Sequence, residues 1–488
     1  MTGREFREVG HRLVDDIAGF LDSIRERPVT RGVRPSGVRE MLPRGPVPEE
    51  GSDAGALLRA TAPLLFDHSL HNGHPRFFGY ITSSAAPIGA LCDMLAAAIN
   101  PNLGGWELSP VASEIEIQSV RWIGELIGYG EDCGGILVSG GNMANFAAFL
   151  AARRAKAPAT IRDTGMGGDG AKLRVYATAE THTWIHKAMD LFGHGTEALR
   201  VVPMDDRLCA DAGALRRMVE EDRADGKLPF LAIATTGTTG TGAIDPVREM
   251  AAVCKEHDLW FHVDGAYGAP AAILPDAPDD LRAIRQADSV AIDPHKWFYT
   301  PLEAGCVLVR DPATLPAAFS HTPSYYHFDD DEQAETNFYE YGMQNSRGFR
   351  ALKVWLSLRQ VGRRGFERMI GDDIRLTDAM FRLFDDHPEL EAVTLSLSIA
   401  TFRYVPPGID PGDPQAQEYL DELNDALLGR LKREGEAYLS NAIVGGRFLL
   451  RACIVNFRTS LEDVEALPEI VAGIGRDLDR EMRPPKLG

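Results

Sequence analysis

Between about residues 87 and 310, short apolar runs alternate with stretches of helical period. A mostly parallel sheet, buried on both faces by helices, accommodates that alternation directly. The strands are expected at 135–138, 173–177, 230–235, 260–263, 289–292 and 305–309. Two of these runs end in charged groups. Leu259-Trp-Phe-His-Val-Asp-Gly-Ala-Tyr-Gly268 delivers Asp264, and Ser289-Val-Ala-Ile-Asp-Pro-His-Lys-Trp297 delivers Lys296. If the two strands are parallel neighbours, both groups reach one crevice at their carboxyl ends.

A lone Lys after a strand is ordinarily a solvated terminus, and a lone Asp there is ordinarily a helix cap. Further groups decide the matter. After the run 135–138 comes Ser139-Gly-Gly-Asn-Met-Ala-Asn145, feeding a helical run over 146–154. Such a turn presents free backbone N–H groups to an anion at a helix N-terminus. Gly140 and Gly141 permit close backbone approach, and Asn142 adds a side-chain donor. The turn has no Gly-Lys-Ser/Thr and no GxGxxG, and Gly237-Thr-Thr-Gly-Thr-Gly242 also fails that spacing. His182, in Thr181-His-Thr-Trp-Ile-His186, follows the run 173–177, where an imidazole can stack on a flat ring. Thr235 closes another strand towards the same crevice. A Schiff-base Lys, an Asp for a pyridinium nitrogen, a phosphate turn and a stacking ring together match pyridoxal phosphate (PLP) chemistry. His182 and His186 lie four apart, but Thr183 stands where a HExxH protease has Glu and no third ligand offers itself, so no metal is expected.

Composition narrows the partners. The 488 residues carry 51 Lys and Arg against 71 Asp and Glu, a net charge of −20, which argues against nucleic acid or an anionic membrane surface. No apolar stretch is long enough to span a bilayer. The six cysteines are scattered without metal-ligand spacing, and no signal peptide is read at the start, so a reduced cytoplasmic setting is expected.

Apolar spacing predicts an amphipathic helix over 6–21, and the proline-rich stretch 27–51 is expected to be extended. Beyond about residue 375, helical periods at 376–384 and 418–434 alternate with strand-like runs at 392–404 and 447–457, which suggests a smaller α+β domain. The expected organisation is therefore a helical, dimerising arm over 1–86, a large PLP-binding domain over 87–374 and a small domain over 375–488. The acidic run Asp329-Asp-Asp-Glu332 is expected to lie in a mobile loop.

These motifs resemble the group II PLP-dependent amino-acid decarboxylases, the family of aromatic-L-amino-acid, histidine, glutamate and cysteine-sulfinate decarboxylases. The resemblance runs through His74-Pro-Arg-Phe-Phe-Gly-Tyr80, the Ser-Gly-Gly turn, the Asp264 and Lys296 motifs, Ser346-Arg-Gly-Phe-Arg-Ala-Leu-Lys-Val-Trp355, Phe402-Arg-Tyr-Val-Pro406 and Leu450-Arg-Ala-Cys453. It implies the aspartate-aminotransferase-like fold type I, with a mostly parallel sheet, helices on both faces and a small C-terminal domain. It also implies a homodimer with the active site at the subunit interface. By position, Lys296 forms the Schiff base and His295 accompanies it near the phosphate. Asp264 binds the pyridine nitrogen, Ala266 lies beneath the ring and His182 stacks on its other face. Gly140, Gly141 and Asn142 match the phosphate turn, and Thr235 a residue near cofactor and substrate. Tyr325 matches the loop tyrosine that protonates the quinonoid carbon, with Tyr326 as its rival. Tyr80, Ile81, Trp106 and Arg451 match substrate-side positions.

The reaction so implied converts an L-amino acid to its amine and CO₂. An oxygen-using aldehyde synthase and a decarboxylase of acidic or sulfinate amino acids are the alternatives. In aromatic-selective animal enzymes, large rings stand where this chain has Asn72, Ile81 and the Gly104-Gly105 pair. A reshaped pocket for a bulky aromatic side chain is therefore expected.

Overall fold

The computed structural model describes residues 1–321 and 335–487. The chain divides into two compact units, one of residues 85–374 and one that joins 1–84 to 375–488. The arm and the tail thus share one unit.

The larger unit is built on seven strands: β1 (Gly134–Val138), β2 (Leu173–Thr178), β3 (Leu199–Val202), β4 (Leu228–Thr235), β5 (Trp260–Asp264), β6 (Ser289–Ile292) and β7 (Gly305–Val309). Their order in the sheet is β1-β7-β6-β5-β4-β2-β3. Only β7 runs against its neighbours, pairing antiparallel with both β1 and β6. The six expected strands are all present, in a mostly parallel sheet with helices on both faces. Edge strand β3, with Arg200 and an exposed Val201 in a four-residue run, was too short and too mixed to read from pattern.

Register sets the crevice. Thr235 of β4 pairs with Asp264 of β5, and Asp264 pairs with Ala291 of β6. The helix Gly141–Lys156 packs on the sheet through Ala144, Ala147, Ala148 and Ala151, small residues that let it lie close to Ile136, Val307 and Val309. Buried Arg347 pins β1 just ahead of the turn. It donates to Glu116 and to the carbonyl oxygens of Leu103 and Leu137, while Glu116 accepts the Leu137 N–H.

In the other unit, β8 (Leu390–Ser396), β9 (Ile399–Tyr404), β10 (Ser440–Val444) and β11 (Arg447–Cys453) form an antiparallel sheet in the order β10-β11-β9-β8. Helices Pro414–Glu434 and Leu461–Met482 share its core with Phe384, Phe402 and Leu450. Helix Gly3–Asp22 starts in a Thr2–Glu5 capping box and buries none of its residues. The stretch expected to be extended contains a helix, Pro35–Met41. Pro35 occupies its first turn, where a missing N–H costs nothing and φ is already set for a helix. All six cysteines are free thiols. Among the described residues, no helix is long and apolar enough to cross a membrane.

Candidate active site

At the end of β6 the chain turns through Asp293-Pro-His-Lys, and the Lys296 N–H returns to the Asp293 carbonyl at 2.8 Å. That turn folds the lysine back on its own motif. Lys296 Nζ lies 2.9 Å from Asp293 Oδ2, and His295 Nε2 lies 3.6 Å from the same oxygen. Asp293 is buried, and its Oδ1 has no hydrogen-bond partner among the described residues. Burial holds the His295 imidazole below its usual pKa, opposed by the Asp293 charge. The sequence reading singled out Lys296 and His295 but missed Asp293, the anion between them.

The glycine turn lies against this group. Gly140 has φ +93°, the left-handed region that suits glycine. A Cβ on Gly141 would stand 2.7 Å from Asp293 Oδ2, so the turn and the lysine's counter-ion are in direct contact. Met143 and Ala144 donate back to the Gly140 carbonyl. The N–H groups of Gly141 and Asn142 open the helix and have no preceding turn to bond. Gly305 of β7 supports the turn from below: a Cβ there would lie 2.5 Å from the Gly140 carbonyl carbon and 2.6 Å from its Cα. Backbone cannot yield as a side-chain tip does, so Gly305→Ala must displace the turn. We expect a cost of about 1–3 kcal/mol in folding stability, typical of overpacking. PLP retention should weaken by at least about tenfold, the effect of about 1.4 kcal/mol. Urea midpoints and equilibrium PLP titration of the variant check both.

Asp264 is held by donors on three sides. Trp184 Nε1 donates to its Oδ2 at 2.7 Å, Asn145 Nδ2 donates to the same oxygen at 3.2 Å, and the Ala266 N–H donates to Oδ1 at 3.2 Å. Trp184 comes from the first residue of helix Trp184–Leu191 and Asn145 from helix Gly141–Lys156. Both stood inside motifs read for other reasons, and neither was recognised as a partner of Asp264. Beside Asp264, the Thr235 hydroxyl is buried without a hydrogen-bond partner among the described residues. His182 keeps an open face just before its helix, with Nδ1 accepting the Trp184 N–H at 3.3 Å. Burial lowers its pKa, and the charges of Asp264, Lys296 and Asp293 all act on it.

The structure therefore brings Lys296, His295, Gly140 and Gly141 together around Asp293, and Asp264, Thr235 and Ala266 together where β4 and β5 end. Trp106 is placed elsewhere in this unit, in a surface groove with Trp122 and Trp355, its indole N–H donating to Glu114 at 2.8 Å. Tyr80, Ile81 and Arg451 belong to the other unit. There Tyr80, at φ +52°, donates its N–H to Ser440 Oγ at 2.6 Å, and Arg451 Nη1 donates to the Tyr80 carbonyl at 3.4 Å. Tyr325, Tyr326 and the acidic run 329–332 lie outside the described residues.

The comparisons with known proteins agree with this chemistry. A family model described as the pyridoxal-dependent decarboxylase conserved domain matches residues 35–404. An aromatic-L-amino-acid decarboxylase of Bacillus atrophaeus is 32% identical over 466 residues, covering 95% of this chain and 94% of the relative. A tryptophan decarboxylase of rice is 30% identical, with 93% and 91% covered. Among solved structures, a rice TDC with PLP and tryptamine superposes with a TM-score of 0.89 at 26% identity, over 98% of this chain and 99% of that one. This chain belongs to the pyridoxal-dependent decarboxylases. It is a carboxy-lyase whose cofactor is PLP. The residues present fit that group: a glycine turn opening a helix, a lysine amine, a carboxylate ringed by donors, and beside them the Thr235 hydroxyl and Asp293 Oδ1, which have no partner among the described residues.

Proposed function

We propose that this protein decarboxylates an aromatic L-amino acid to its amine and CO₂, with Lys296 and Asp264 at the centre of the site. The observation that carries the proposal is the pairing of Lys296 with Asp293, against the glycine turn, one strand away from the triply bonded Asp264. Bound PLP supplies a protonated ring that accepts the electron pair left when the carboxyl group departs.

The chain's own residues divide the remaining work. Lys296 Nζ is the amine that holds the cofactor and yields it to the substrate's amino group. Asp293 keeps that amine beside the turn. The N–H groups of Gly141 and Asn142 take the phosphate, with the helix dipole favouring its charge. Asp264 would hold the proton on the ring nitrogen, and Ala266 and His182 would be the residues that hold the ring. Thr235 offers its hydroxyl at the rim. Tyr325 donates the proton that completes the amine, and Tyr80, Ile81 and Arg451 serve the substrate side. These last roles rest on the sequence resemblance.

The aromatic preference is supported by the names of the relatives just described. A homodimer is part of the same reading, supported by an amphipathic first helix none of whose residues is fully buried in its own chain. So is a cytoplasmic setting, supported by six free thiols.

Turnover of a panel tests the preference: L-tyrosine, L-tryptophan, L-phenylalanine, L-histidine, L-glutamate and L-cysteine sulfinate with PLP-loaded protein. An aromatic member should lead in kcat/KM by at least about tenfold, or 1.4 kcal/mol of differential transition-state binding. A lead by glutamate or the sulfinate would overturn the aromatic reading.

A further inference from the structure

Behind Asp264, β5 and β6 carry a row of buried polar side chains that the roles proposed above do not use. Trp260 Nε1 donates to Ser289 Oγ at 2.8 Å, and Ser289 Oγ lies 2.8 Å from His262 Nδ1. His262 Nε2 lies 2.7 Å from Asn145 Oδ1, and Asn145 Nδ2 donates to Asp264 Oδ2. All four of Trp260, Ser289, His262 and Asn145 are buried. The Trp184 ring, which donates to the same Asp264 oxygen, stands edge-on to His262 with centroids 6.0 Å apart.

The chemistry of these groups fixes the direction of every bond. An ionised carboxylate only accepts, so the Asn145 amide must face Asp264 with its nitrogen. Its oxygen then faces His262, and His262 Nε2 must carry a hydrogen. Burial pushes the pKa of His262 down to about 4, so the ring is neutral near pH 7 and carries one hydrogen only. Nδ1 is therefore an acceptor, and the Ser289 hydroxyl donates to it while accepting from Trp260. The hydrogens run one way along the row, from Trp260 to Asp264.

We propose that His262 and Asn145 are positioning residues: the Nε2–H of His262 anchors the Asn145 amide by its oxygen, fixes its NH₂ group on Asp264, and so holds the carboxylate in the orientation that keeps the cofactor's ring nitrogen protonated. The inference rests on the role of Asp264 proposed above. Without that N–H the Asn145 oxygen loses its buried donor, the amide is no longer anchored, and its hydrogen bond to Asp264 Oδ2 weakens, leaving more of the hold on that oxygen to Trp184. A buried histidine that merely fills the core would have no such effect.

Protein loaded with PLP labelled with ¹⁵N at the ring nitrogen separates the two roles. His262→Phe should move the ring-nitrogen resonance towards that of unprotonated pyridine. With the best substrate of the panel it should lower kcat about tenfold to a hundredfold, the usual cost of losing an outer-shell partner, with KM within about twofold. Asn145→Ala should repeat both changes. His262→Gln, whose amide N–H can reach Asn145, should recover most of each. A His262→Phe protein that melts earlier yet keeps the wild-type resonance and kcat would overturn the proposal, as would His262→Gln matching His262→Phe in both readouts. A wild-type protein with no bound ¹⁵N resonance would remove the cofactor reading itself, and this one with it.

Discussion

Lys296→Ala is expected to lose at least about a thousandfold in turnover, since no neighbouring group can replace a covalent amine. The fold should survive. The Lys296 side chain is 20% exposed, so its removal opens no sealed cavity. The cost falls on Asp293, which is only 3% exposed and loses its cation. His295, 3.6 Å away, has its pKa lowered by burial and is a poor substitute for a permanent cation. An orphaned buried acceptor of this kind costs about 1–3 kcal/mol. Lys296→Arg separates the two effects, because it keeps a charge beside Asp293 but cannot form the Schiff base. It should melt near the wild type and be equally inactive. Borohydride treatment of PLP-loaded wild type should leave a pyridoxyl adduct on Lys296, and neither variant should carry one. Full turnover in Lys296→Ala would end the assignment.

Asp264→Asn is the second large effect. The substitution keeps the shape of the side chain and removes its charge. Its amide oxygen can still accept from Trp184 and Asn145, but its NH₂ group then faces the Ala266 N–H, donor against donor. The ring nitrogen loses the anion that favours its proton. Turnover should fall at least about a hundredfold, comparable to removing one preorganised electrostatic partner at a reacting centre. PLP methylated on the ring nitrogen carries its charge permanently and should restore part of the rate in Asp264→Ala. Failure of that rescue, with cofactor bound, would assign Asp264 to packing and not to ring charge.

Much of the site was legible because strand ends announce themselves. Asp264 and Lys296 close apolar runs, and Gly140 and Gly141 sit where a strand must hand over to a helix, so polarity and spacing located them. Their supports were not legible for a physical reason: each acts across the sheet and not along it. Gly305 reads as an ordinary strand glycine until the Gly140 backbone is found 2.5 Å from its missing Cβ. Asn145 and Trp184 read as a helix residue and an apolar anchor, and only the packing of two helices over β5 aims both at one carboxylate oxygen. Asp293 was hidden inside its own motif, since spacing does not say which side chain a turn folds back upon. The proline-rich arm misled because proline breaks a helix interior but suits its first turn, and Pro35 sits there.

The most direct test of the whole account is the product stoichiometry of PLP-loaded protein with an aromatic L-amino acid in air. CO₂ and the corresponding amine should appear in equal amounts, with no aldehyde, ammonia or peroxide. CO₂ accompanied by aldehyde, ammonia and peroxide, or amino acid consumed without CO₂, would contradict it.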